Sequence, residues 1–116
     1  METTTNNVQG AVNVSTPATK MLAIGRWTEK GLNIADRLKV MPKEVQETVK
    51  LYLTGAIEQW YVKPDMSGVV FIMNSTSAEQ AHTLLEDLPL GIAQMMVFDL
   101  IPLGPITPLR FLLPQE

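Results

Sequence analysis

A strand that is apolar on both of its faces is the feature that most constrains how this chain can fold. It lies in the stretch Leu88–Leu113, which opens with helix-stopping Pro89 and Gly91 and ends in a proline-punctuated arm that is still apolar. Met95, Val97 and Ile101 alternate onto one face, and Met96, Phe98 and Leu100 onto the other. A strand with one wet face would alternate apolar and polar residues, so both faces here demand cover. A chain of 116 residues offers little material for two covers, and a partner subunit is expected to supply the second.

Composition narrows the function classes. The length fits one domain, and a hydrophobic content of 46% is ordinary for a globular protein. Cysteine is absent, which removes disulfides and thiolate metal sites. His82 is the sole histidine, so a multi-histidine metal centre cannot be built within one chain. The net charge of −3 is mild and forms no basic patch, so nucleic acid is not an expected partner. Residues 1–20 lack the charged start and apolar core of a signal peptide, and no run approaches the ~20 apolar residues of a membrane span. A soluble cytoplasmic protein without metal or organic cofactor is expected.

Residues 1–20 are rich in Thr, Asn and Ser and read as a flexible tail. Met21–Trp27 predicts a first strand, with Leu22, Ile24 and Arg26 on one face and Ala23, Gly25 and Trp27 on the other. A short helical piece follows over Leu32–Met41. Pro42 is expected to open a new helix over 43–54, with Val45, Val49, Tyr52 and Leu53 as its inward stripe. Ile57–Val62 and Val69–Met73, separated by the turn residues Pro64–Gly68, predict an antiparallel hairpin. Ser75 or Thr76 is expected to cap a helix running to about Leu88, with Glu79 closing a capping box. The order strand, helix, strand, strand, helix, strand is the split βαβ arrangement of a ferredoxin-like α+β sandwich over residues 21–104, followed by an arm over 105–116.

Two helices cover one face of such a sheet and leave the other open. Here the open face is apolar, and burying it is worth roughly 1.5–3 kcal/mol for each large side chain. A homodimer that pairs two sheets face to face, locked by the arm after Gly104, is the expected solution.

Ala81–Leu90 (Ala-His-Thr-Leu-Leu-Glu-Asp-Leu-Pro-Leu) and Phe98–Pro105 (Phe-Asp-Leu-Ile-Pro-Leu-Gly-Pro) resemble the muconolactone isomerase-like proteins of the dimeric α+β barrel superfamily. The resemblance covers residue 21 to about residue 113. It implies paired ferredoxin-like subunits with a small-molecule pocket between sheet and helices. It also implies a cofactor-independent isomerase that shifts a double bond in an unsaturated lactone, or a related cyclic substrate, by proton transfer. Relatives in the superfamily include cofactor-free monooxygenases of aromatic polyketides and haem-handling enzymes, so an oxygenase or cyclase on a polyketide-like ring is a second expectation. A non-catalytic ligand-binding or structural dimer is a third.

Proton transfer beside a carbonyl needs a base poised near neutral pKa in a dry pocket. His82 is the side chain whose ordinary pKa suits that role, and it corresponds to a histidine in the isomerase's own Leu-His helix segment. A histidine hydrogen-bonded at the helix edge is the plainer alternative. Asp99 sits among apolar neighbours, where a carboxylate is costly unless paired or protonated. It is open to two roles, a catalytic base or the partner of Arg26. Arg26, Tyr52 and Trp60 are the candidate substrate contacts, with an arginine snorkelling from the strand end and aromatics buried as core as the plainer readings. Glu58 is expected to share a face with Trp60.

Overall fold

The computed structural model describes residues 16–114. In chain order the elements are β1 (Lys20–Trp27), a 3-10 turn (Lys30–Leu32), α1 (Ile34–Leu53), β2 (Ile57–Val62) and β3 (Gly68–Met73). They continue with α2 (Ala78–Glu86), the one-turn α3 (Pro89–Ile92), β4 (Met96–Leu103) and a 3-10 helix (Thr107–Leu112). The strands form one sheet in the order β2-β3-β1-β4, with every neighbouring pair antiparallel. This is the ferredoxin-like βαββαβ architecture. Most of the expected N-terminal tail, residues 1–15, lies outside the described residues.

Alternation along the strands sorts the sheet into two faces. Met21, Ala23 and Gly25 of β1 are buried toward the helices, together with Phe71 and Met73 of β3 and Met96 and Phe98 of β4. Phe71 stacks on Phe98 at 5.8 Å between ring centroids and receives the Trp60 ring edge-on at 6.2 Å. Ala81, Leu85 and Leu88 close this core from the α2 side. The opposite face carries Leu22, Ile24, Val70, Ile72 and Val97, all half-buried, with Tyr61 and Ile101 more exposed. No described helix covers it. β1 and β4 are direct neighbours, with Ile24 opposite Asp99.

Three local features depart from the sequence expectations. α1 is a single helix of 20 residues with Pro42 inside it. Pro42 and Leu38, whose carbonyl loses its usual donor, both lie on the solvent side, where water can take that bond. The helix starts instead at Asn33, whose side chain accepts from the Asp36 amide at 3.1 Å. Second, α2 is capped by Ser77, which accepts from the Gln80 amide at 3.2 Å, and not by Ser75 or Thr76. Pro89 then starts α3 at a position where its missing amide is harmless, and Gly91 lies buried within that turn.

The third departure is in β2. The pairing with β3 slips between Ile57 and Gln59, a bulge that sets Ile57 and Trp60 toward the helices together. Glu58 is left unpaired at the slip, and its carboxylate pairs with Lys20 at 3.0 Å. At the other edge of the sheet β4 carries Pro102 opposite Met21.

Gly25 shows how tightly the helix-side layer is filled. A Cβ at this position would stand 2.7 Å from Phe98 Cε1 and 2.8 Å from Met96 Sδ. Strand propensity alone favours a β-branched residue in mid-strand, but packing should win. Gly25→Val is expected to destabilise the protein by about 1–3 kcal/mol, measured as a lower urea midpoint with an unchanged slope.

Candidate functional site

The site is a cleft of about 110 Å³ between α1 and the helix-side face of the sheet. The indole rings of Trp27 and Trp60 line it together with Phe71 and Met96. Val45, Val62 and Met66, which keep 44%, 55% and 64% of their surface exposed, mark its mouth. Trp27 is held in place from two sides. Its ring nitrogen donates to the Met66 carbonyl at 3.0 Å, and the Arg37 guanidinium lies 3.8 Å from the ring centroid. Arg37 is itself fixed by donating to the Gly31 carbonyl at 2.9 Å.

Polar chemistry enters the cleft from one turn of α1. Glu44 and Thr48 both line it, and they are 6% and 1% exposed. Glu44 Oε1 accepts from the Leu90 amide of α3 at 2.9 Å, and Oε2 lies 3.2 Å from Thr48 Oγ1. The Thr48 hydroxyl also lies 2.8 Å from the Glu44 carbonyl oxygen. A hydroxyl has one proton to give, so it cannot serve both oxygens fully. Glu44 Oε2 is therefore only partly satisfied by Thr48. Desolvation by burial pushes the Glu44 carboxyl above its ordinary value of 4.5, against the opposing pull of the hydrogen bonds from Leu90 and Thr48.

The five residues singled out from sequence are dispersed over three places. Trp60 lines the cleft. It also borders a shallow groove between the C-terminal half of α1 and β2, where it meets Tyr52, which is 49% exposed. His82 lies on the outer side of α2, its Nε2 3.7 Å from Glu86 Oε2 and more than half of its side chain exposed. Arg26 and Asp99 lie on the open face of the sheet, paired at 3.3 Å, with 60% of each side chain exposed. The structure brings neither His82 nor Asp99 to the cleft.

Glu44 and Thr48 were missed for a specific reason. α1 carries two competing stripes at helical spacing, and the more hydrophobic one (Val45, Val49, Tyr52, Leu53) was expected to face inward. All four of these residues remain between 37% and 76% exposed. The buried stripe runs instead through Met41, Glu44, Thr48 and Leu51. The i, i+4 pairing of a carboxyl with a hydroxyl beneath Met41 was the available signal.

Among the described residues no cluster of His, Cys, Asp or Glu is arranged to hold a metal ion, and no helix is long and apolar enough to cross a membrane. No family model matches the chain, and no curated protein matches it. Among solved structures, the chain is similar to the 5-chloro-2-hydroxyhydroquinone dehydrochlorinase (TftG) of Burkholderia phenoliruptrix AC1100, in complex with 2,5-dihydroxybenzoquinone. The TM-score is 0.59 at 16% identity, over 73% of this chain and 93% of that one. The likeness establishes a shared fold.

The raised pKa of Glu44 has a signed consequence for stability. The folded state holds the proton more tightly than the unfolded state, so this contribution is complete below pH 4.5 and is lost as pH rises through the raised value. Glu44→Gln keeps an acceptor for Leu90 and a donor for Thr48 without the titration. Urea unfolding of the two proteins is therefore expected to show the variant gaining stability relative to wild type as pH increases from 4.5 upward.

Proposed function

We propose that the protein is a homodimeric, small-molecule enzyme that catalyses proton transfer on an unsaturated lactone or related cyclic substrate without a cofactor. The observation that carries this reading is the Glu44 carboxyl buried in an apolar cleft and pushed up in pKa. As carboxylate, Glu44 would take a proton from the carbon beside a carbonyl and return it two carbons along the conjugated system. The double bond moves, and no atom is gained or lost. Such a step needs a base of moderate strength in a dry site. The similar dehydrochlorinase fold, described with a one-ring quinone, is compatible with a single-ring ligand here.

Glu44 takes the place of His82 and Asp99 in this assignment, because it alone of the three lines the cleft. Glu44→Gln is expected to lower turnover of an accepted lactone by about 10²–10⁴-fold, and His82→Ala to leave it within a factor of two or three. Loss of activity in the histidine variant with retention in the glutamine variant would reverse the assignment.

The second copy belongs on the open sheet face. Leu22, Ile24, Val70 and Ile72 form a contiguous apolar surface that no described element covers, and the arm brings Ile106, Leu112 and Leu113 to the surface at 69%, 80% and 64% exposure. Face-to-face pairing would bury both. Ile72→Lys, which places a charge in the middle of that face, is expected to shift the protein from dimer to monomer in sedimentation while leaving its helical circular dichroism in place.

A binding protein without chemistry is the second reading, and one observation favours it. Both carboxyl oxygens of Glu44 already have partners within the chain, as a residue tying α1 to α3 would. Ligand binding by both wild type and Glu44→Gln, with no turnover by either, would select it.

A further inference from the structure

We infer that the α1–sheet cleft is selective for uncharged single-ring ligands and rejects rings that bear a carboxylate. The inference rests on the cleft being the functional site and adds the charge and size of its occupant. Its volume of about 110 Å³ is of the order of the ~150 Å³ apolar cavity that holds one benzene ring. A second fused ring would have to protrude through the mouth or displace Phe71 or Met96, which are each only 2% exposed.

Charge follows from the residues that line the space. None of them is Lys, Arg or His, and the one ionisable lining group is an acid. Arg37, which stacks on Trp27 and donates its Nε–H to the Gly31 carbonyl, is not among the lining residues. Arg26 and Asp99 form their pair on the opposite side of the sheet. A ligand carboxylate entering the cleft would lose its water, meet no cation and face the Glu44 carboxyl. Such a group is disfavoured by desolvation alone, and further by repulsion whenever Glu44 is ionised. A neutral ring with a carbonyl or hydroxyl gains apolar burial between the indoles and keeps one hydrogen bond, to or from Glu44.

The chain's two tryptophans are Trp27 and Trp60, and both line the cleft, so intrinsic fluorescence reports its occupancy directly. The full-length protein is titrated at pH 7 with phenol, with 2(5H)-furanone and with benzoate, and binding is checked by competition between them. Phenol or furanone is expected to perturb the fluorescence saturably, with benzoate binding at least tenfold more weakly. Glu44→Gln should narrow that gap by raising benzoate affinity, while Phe71→Trp should weaken the neutral ligands by filling the space. Benzoate binding as tightly as the neutral rings, or no saturable binding of either neutral ring, would overturn the inference. Failure here is separable from failure of the proton-transfer reading. Loss of turnover in Glu44→Gln alongside tight benzoate binding would sink only the charge selectivity. Neutral-ring selectivity without turnover would leave the selectivity standing and remove the catalysis.

Discussion

Burial of the row Met21, Ala23 and Gly25 against the two helices positions everything else, because β1 sits inside the sheet and pairs on both sides. Its register on β3 sets Phe71 and Met73 facing inward, and its register on β4 does the same for Met96 and Phe98. Small residues at Ala23 and Gly25 leave the room that the rings of Phe71 and Phe98 then occupy. Between α1 and this filled layer, beside Trp27 and Trp60, lies the cleft.

The same alternation that fills one face leaves the other dressed in Leu22, Ile24, Val70 and Ile72. An apolar face of this extent is costly in water. The charged groups on it pair with one another, Arg26 with Asp99 and Lys20 with Glu58. The cleft and the open apolar face thus occupy opposite sides of one sheet, and the residues most visible in sequence, Arg26 and Asp99, fall on the open side.

The fold was legible because its signals are local and redundant. Period-two alternation in β1 and β4, the turn residues around Asp65 and the apolar stripe of α2 each point to one element, and together they allow few topologies. The site was much less legible. The buried carboxyl of the cleft, Glu44, lies on α1, where a proline interrupts the pattern and two stripes of similar spacing compete. Which stripe faces inward depends on how α1 packs against α3, where Glu44 meets the Leu90 amide, a contact distant in sequence. A buried glutamate is also the residue type that hydrophobic patterning assigns to solvent. Asp99 and His82 stood out because of their apolar or unusual neighbours in the chain, and neither property tracks position in space.

The two margins of the sheet remain. An exposed strand edge offers a row of unpaired backbone groups to any passing chain, which is how many sheets extend into fibres. Here one margin carries the Glu58 bulge and the other carries Pro102, a residue with no amide to donate. Both devices discourage a fifth strand from joining. A sheet with an uncovered apolar face benefits from having its sideways growth blocked in this way. The concentration at which it can be stored or expressed should depend as much on that bulge and that proline as on the core.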